Sequence, residues 1–323
     1  MATIPRGHWR RPGFTLLELL IVMGLGVICF GLLVGCVQRV HTSSLQGQCS
    51  NNLKQIGLGV HNFESTFKRM PPLYGGSNGE SVANSEKFSR WWGSTHVFLL
   101  PYIERDSVYK SMASGSPPVY DPTTNGGPAN TQAISTYACP SDPSMSDYIV
   151  AGGAYGGTSY VANAQVFAPL ADETIAGGAM YPSSKPNFTD RGVPIARLQD
   201  GASNIIFFTH SYALCGRGTG TIWGYGAGVD KPPSPIDTYQ PWTRASYLNQ
   251  TYLTPANGAA FEVQPNRYLT KCSITDPATP HSAMMVLLGD ASVRGVVASI
   301  SPDTWNKACL PNDGNKMPAD WDQ

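Results

Sequence analysis

The chain has 323 residues, and its 22 basic and 22 acidic side chains cancel, so no basic surface argues for nucleic acid. A hydrophobic content of 41% is enough for a real core and excludes a globally disordered chain. Only 14% of residues are charged, and 34 glycines with 26 prolines suit a loop-rich β domain rather than a helical one.

The N-terminus is basic, with Arg6, Arg10 and Arg11 and no acid before Gly13. Residues 16–37 then form an apolar run of 22 residues with one charge, Glu18. A helix needs about 20 apolar residues to cross a bilayer. Positive flanks stay cytoplasmic, so the rest of the chain is expected to be exported. A carboxylate inside hydrocarbon costs roughly 2.5 kcal/mol or more and is functional by default. Cleavage after Gly13 would place the new α-ammonium of Phe14 one helical turn from Glu18, where it could neutralise Glu18 of a neighbouring copy. Gly24, Gly31 and Gly35 are candidates for close helix packing. No proline breaks the run, which predicts an unkinked segment.

These residues carry a resemblance. Gly13-Phe14-Thr15-Leu16-Leu17-Glu18-Leu19-Leu20-Ile21-Val22 resembles the prepilin-type N-terminal cleavage and methylation motif of type IV pilins and type II secretion pseudopilins. The resemblance implies a prepilin peptidase that cuts between Gly13 and Phe14, N-methylation of Phe14, and a register role for Glu18 in a filament. Two rival readings explain less. Leu33-Val34-Gly35-Cys36 fits a lipoprotein box, but the apolar run before Cys36 exceeds the roughly 7–15 residues of a signal h-region. Arg10-Arg11 fits a twin-arginine signal only faintly and leaves Gly13 and Glu18 unexplained.

The helix is expected to continue to Phe67. Cys49, Leu53, Ile56, Val60, Phe63 and Phe67 recur at steps of four and three, one apolar stripe. Gly57 and Gly59 each cost about 1 kcal/mol against alanine, and close packing is the expected reason for them. Met70-Pro71-Pro72 stops the helix. Further on, 91–100 reads as a strand and 101–112 as a short helix. The stretch 114–131 reads as a loop, 159–167 and 204–210 as strands, and 283–288 with 293–299 as a β-hairpin. Residues 211–282 read as an insertion of loops and short strands.

A second resemblance rests on Cys49-Ser50-Asn51-Asn52-Leu53-Lys54-Gln55-Ile56-Gly57-Leu58, Leu99-Leu100-Pro101-Tyr102-Ile103-Glu104, Cys139-Pro140-Ser141-Asp142, Thr158-Ser159-Tyr160-Val161-Ala162-Asn163 and Asp200-Gly201-Ala202-Ser203-Asn204, with His281 and Asp290 near the end. It is similar to a large bacterial family of unassigned function that joins a prepilin-type N-terminus to an exported domain. That family usually ends in His, nine residues, then Asp-Gly. Here eight residues separate His281 from Asp290, and Ala291 replaces the glycine. A glutamate commonly stands where this chain has His210.

Seven cysteines are present. Cys29 and Cys36 lie in the apolar run. Cys49, Cys139, Cys215, Cys272 and Cys309 are disulfide candidates in an oxidising compartment, with pairing left open. No C-x-x-C or H-x-x-x-H spacing points to zinc, and His210 and His281 read as surface or core histidines. Asp142, Asp200, Asp290 and Asp313 could supply calcium oxygens if gathered, although turn-forming is the expected role of Asp200 and Asp290. No other cofactor is expected. The glycine-rich 152–157 stretch reads as a loop, and Trp91, Trp92, Trp223 and Trp242 as core rather than sugar platforms. There is no P-loop and no nucleophile elbow, so an enzyme is not expected.

The sum is an α+β, pilin-like fold. A basic leader spans 1–13, a transmembrane and assembly helix 14–37, its amphipathic continuation 38–68, and a mainly antiparallel, exported β domain 69–323. The expected function is a structural subunit of a filament. The expected partners are the prepilin peptidase, other pilin-like subunits, an inner-membrane assembly platform and the lipid bilayer. The alternative is a membrane-tethered exported module that binds glycans or small solutes.

Overall fold

A single helix, α1 (Leu16–Phe67), carries both the apolar run and the amphipathic stripe. The structure is a computed structural model that describes residues 13, 15–72, 74–76, 92–113, 132–145, 149–150, 155–167, 194–214, 220–221, 223, 243–244, 247–248, 260–264, 277–311 and 314–322, with the backbone alone at 32–42, 74–76, 92–93, 111–113, 149–150, 155, 164–165, 220, 243–244 and 247–248. It divides into two units, Met1–Leu45 and Gln46–Gln323, so the second half of α1 belongs to the globular unit.

In the first unit the apolar side chains of α1 lie open, with Leu16 78% and Phe30 72% exposed. Among the described residues no helix is long and apolar enough to cross a membrane. The described side chains of the apolar run stop at Gly31, short of the about 20 residues a span requires. In the second unit the expected stripe is buried: Cys49, Leu53, Ile56 and Val60 are 0% exposed and Phe63 3%. Each such aliphatic or aromatic side chain contributes about 1.5–3 kcal/mol relative to exposure. Gly57 and Gly59 are contact points. A Cβ on Gly57 would meet Leu287 Cδ1 at 2.7 Å, and one on Gly59 would meet Ile103 Cγ2 at 3.2 Å. α1 ends with Lys68 in the left-handed region (φ 58°) just ahead of the two prolines.

The partner of that stripe is a five-stranded sheet in the order Val293–Val296, Met284–Leu288, Ile206–His210, Tyr160–Asn163 and Tyr247–Leu248. Its pairings are antiparallel except that of Tyr160–Asn163 with Tyr247–Leu248. The period-two alternation splits the strands between two cores. Tyr160, Ala162, Met285 and Leu287 join the α1 core, while Val161, Met284, Val286 and Leu288 join a second core with Trp305, Ala308 and Cys309. Those last residues lie on the C-terminal helix Pro302–Cys309, which Ser301 caps by accepting from Thr304 N. The sheet is therefore a middle layer with one helix on each face.

One irregularity decides which face of the sheet His210 occupies. Leu288 pairs with Ile206, but Leu287 pairs with Phe208, so Phe207 is an extra residue in its strand. Such a bulge re-aims the side chains beyond it. Ile206 faces the second core, yet Phe208 faces the α1 core, and His210, paired with Tyr160, does the same.

Several expectations need correction. The 91–100 stretch is a short strand, Trp92–Ser94, followed by a helix, Thr95–Leu99. All of Thr95–Leu99 is buried, so no polar face marks its period. The 101–112 helix is two pieces, a tight turn at Leu100–Ile103 and a helix at Asp106–Ala113, broken where Glu104 turns left-handed at φ 62°. The 159–167 strand stops at Asn163 and turns helical over Ala164–Phe167. The hairpin is found at Met284–Leu288 and Val293–Val296. In its turn Ala291 takes φ 65°, a conformation that favours the glycine usual in the resembling family. The 114–131 loop and most of 211–282 lie outside the described residues.

The α1 core also buries His96, whose Nε2 donates to Tyr160 O at 2.9 Å and whose Nδ1 has no partner. Burial pushes its pKa down to about 3. Below about pH 6.5 the unfolded chain therefore binds a proton that the folded chain refuses, and stability falls with pH between about 6.5 and 3. The slope from His96 is about 1.4 kcal/mol per pH unit, or about 2 kcal/mol lost by pH 5. Asp142 acts with the opposite sign, because burial raises its pKa. His210, likewise pushed down to about 3 by burial, adds a loss of the same sign, so denaturant titrations at pH 7 and 5 should show both, and His96→Gln should remove about 2 kcal/mol of the loss. An unchanged profile in that variant would contradict the assignment.

Candidate functional site

The motifs that lie far apart in sequence meet beneath α1. Cys49 on α1 is disulfide-bonded to Cys139, 90 residues later, with Cα atoms 4.9 Å apart. The helix residues around Cys49 hold the turn that carries Cys139. Asn52 Nδ2 donates to Ser135 O at 3.1 Å and to Ala138 O at 2.8 Å, and Thr136 Oγ1 donates to Gln55 Oε1. Tyr160 OH donates to Cys49 O at 3.2 Å, and Cys139 N donates to Ser159 Oγ.

Two histidines complete the group. His210 ends the bulged strand, and His281 lies just before Met284–Leu288. Their rings are 5.3 Å apart, and His281 Nε2 lies 3.5 Å from Cys139 Sγ. The two sulfurs and one nitrogen from each histidine all fall within 4.8 Å of one another. All four residues are buried, His281 the least so at 7% exposed. Burial, helped by the neighbouring His281, pushes the pKa of His210 down to about 3. Burial also lowers that of His281.

Thr279 Oγ1 lies 3.3 Å from both Ala283 O and His210 Nδ1 and accepts from His281 N. His210 Nε2 is left buried with no hydrogen-bond partner. With the ring proton on Nδ1, donated to Thr279 Oγ1, this Nε2 carries a free lone pair. An orphaned buried polar atom of this kind costs about 1–3 kcal/mol.

Asp142 holds the same corner together. Its Oδ1 accepts from Ser144 N at 2.9 Å and Ser144 Oγ at 2.6 Å. Its Oδ2 accepts from Ser159 Oγ at 2.8 Å and Ala213 N at 2.9 Å. It thereby ties the Cys139 turn to the chain leaving His210. This is a structural role, and Asp142 is not gathered with the other acids proposed for calcium. Asp290 Oδ1 accepts from Ser292 N in its own turn, Asp200 Oδ1 accepts from Gly314 N, and Asp313 lies outside the described residues. Among the described residues the close group of possible ligands is Cys49, Cys139, His210 and His281. His210 and His281, read from the sequence as surface or core histidines, are both buried.

The other candidates are dispersed. Cys309 is a buried free thiol, not a disulfide partner among the described residues, and Cys29 is a free, exposed one. Cys215 and Cys272 lie outside the described residues, as do Phe14, Trp91 and Trp242. Trp223 is fully buried and its Nε1 donates to Gln132 O, a core role. Gly13 is exposed. Glu18 sits at the start of α1, accepting from Thr15 N at 2.9 Å and Thr15 Oγ1 at 3.0 Å. Nothing lies within 4 Å of a Cβ built on Gly24 or Gly31, and Gly35 lies in the stretch whose side chains are not described. Sequence reasoning missed Asn52, Gln55 and Thr279 as positioning residues. Asn52 and Gln55 were signalled by polarity beside a buried stripe, within the Cys49–Leu58 motif; Thr279, in the strand Ala278–Thr279, carried no such signal.

A family model described as a protein of unknown function (DUF1559) matches residues 46–303. The match begins at the first residue of the second unit and covers the four-residue cluster. No curated protein and no solved structure matches the chain.

Proposed function

We propose, from the premise that the chain belongs to the DUF1559 family of unknown function, that it is a pilin- or pseudopilin-like structural subunit. In this reading the basic leader stays in the cytoplasm, and the apolar part of α1 holds the precursor in the inner membrane. A prepilin peptidase cuts after Gly13 and N-methylates Phe14, and subunits then pack through α1 on an assembly platform. The second unit is exported and coats the filament. Glu18 would take the α-ammonium of a neighbouring Phe14 as its partner and so set register.

The observation that carries the reading is the division of labour along one helix. α1 is an uninterrupted helix of 52 residues. Its N-terminal apolar side chains, from Leu16 to Phe30, are exposed, while its C-terminal stripe from Cys49 to Phe63 is buried in the globular core. A helix that anchors a domain at one end and offers a large apolar surface at the other is suited to lipid or to copies of itself. The prepilin-type motif supplies the chemistry at its start.

The test is mass spectrometry of the mature N-terminus in membranes of the producing cell. The expected species begins at N-methylated Phe14. A lipidated Cys36 or a chain that retains residues 1–13 would overturn the reading.

A further inference from the structure

We propose that Cys49, Cys139, His210 and His281 are a redox-gated metal site that, in the dithiol state, holds one Zn2+ ion. The structure presents the oxidised state, in which the two sulfurs are bonded to each other. The two occupants of this space, disulfide and metal, exclude each other.

Four observations carry the inference. The donor set is Cys2His2, a usual set for structural zinc. The donor atoms already lie within 4.8 Å of one another. A tetrahedral ion with Zn–S near 2.3 Å and Zn–N near 2.0–2.1 Å needs them about 3.3–3.8 Å apart. Side-chain adjustments of an ångström or so, plus separation of the sulfurs on reduction, cover that difference. His210 Nε2 is buried with no hydrogen-bond partner, and His210 belongs to the same close group as the sulfurs and His281. Finally, its other ring nitrogen is held by Thr279 Oγ1, which is how zinc-binding histidines are oriented.

The bulge at Phe207 gives this arrangement its origin. Without the extra residue the alternation would turn the His210 side chain to the opposite face of the sheet, away from Cys49.

Loading the site takes a reduction and then a metal-for-proton exchange. A dithiol reductant transfers two electrons and two protons to the Cys49–Cys139 bond, giving two thiols and the reductant's own disulfide. Zn2+ then binds both sulfurs, the two S–H protons leave to water, and the two neutral imidazoles complete the shell. The product, with two thiolates on a dication, is net neutral, which suits a site this buried. Softer thiolate ligands favour Zn2+ over Mg2+ or Ca2+.

The experiment uses the full chain in detergent micelles, reduced anaerobically with a phosphine and then freed of it. Titration with Co2+ as a spectroscopic probe should give one equivalent bound, with thiolate-to-cobalt charge transfer and the strong visible bands of a tetrahedral site. One equivalent of Zn2+ should abolish the signal. The oxidised chain should bind none. His210→Ala and His281→Ala should each weaken binding at least tenfold, while their oxidised forms still carry the disulfide and melt cooperatively, which shows that they fold. Bound Zn2+ should also slow alkylation of Cys49 and Cys139 in the wild type at least tenfold. Failure of the reduced wild type to bind Co2+ would overturn the proposal, as would equal binding by folded His210→Ala.

Discussion

Replacing both Cys49 and Cys139 by alanine is expected to lower the unfolding free energy by about 4 kcal/mol under oxidising, chelated conditions. The bond closes a loop with a sequence separation of 90, and loop-closure entropy for that length is about 4–5 kcal/mol. The location adds to the effect. The bond joins α1 to the turn that carries Asp142, and removing it leaves that turn tied to α1 by the hydrogen bonds of Asn52 and Gln55. In a domain of this size the loss corresponds to a fall in Tm of about 10 °C. Guanidinium unfolding followed by tryptophan fluorescence provides the measurement, with the chelator removing any contribution from bound metal. A loss below about 1 kcal/mol would mean that the oxidised chain gains little from the bond, because its unfolded state is already restricted near these residues.

The helix was legible in the sequence because its stripe has a clean period: Cys49, Leu53, Ile56, Val60 and Phe63 repeat at helical steps and are all buried. The hairpin was legible from its turn, where Gly289-Asp290-Ala291-Ser292 separates an apolar run from Val293–Val296 and Asp290 closes the turn on its own backbone. Thr95–Leu99 was not legible as a helix. Buried along its whole length, it has no polar side to reveal the period. The cluster was hidden for a different reason. Its ligands come from α1, a turn, a strand end and a loop, so no spacing in the chain records their meeting. The decisive step is the single extra residue at Phe207, which a pattern of apolar residues cannot show because Ile205, Ile206, Phe207 and Phe208 are all apolar and all buried.

Asp142→Asn is expected to destabilise the fold by about 2–3 kcal/mol at neutral pH, although the amide matches the carboxylate in size. Both carboxylate oxygens accept from backbone N–H groups that have no choice but to donate, Ser144 N on one and Ala213 N on the other. An amide offers one oxygen. Whichever way it is turned, its NH2 group must face one of those two donors. The result is one lost hydrogen bond to a charged group, worth about 1.5–3 kcal/mol, and one buried N–H left unpaired. The serines cannot repair it fully, because Ser159 Oγ already accepts from Cys139 N and Ser144 Oγ from Leu214 N. Against this stands the relief of burying a neutral group in place of a charge, the same burial that raises the Asp142 pKa. Four donated hydrogen bonds at 2.6–2.9 Å outweigh it, since a buried charge so fully paired is costly chiefly when a partner is removed. Asp142→Ala, which abandons both N–H groups and leaves a void, should cost more, about 4 kcal/mol. Denaturant unfolding of the two variants beside the wild type decides the matter. If Asp142→Asn unfolds at the wild-type midpoint, both N–H groups have found other acceptors and Asp142 does not hold the Cys139 turn to the chain that leaves His210.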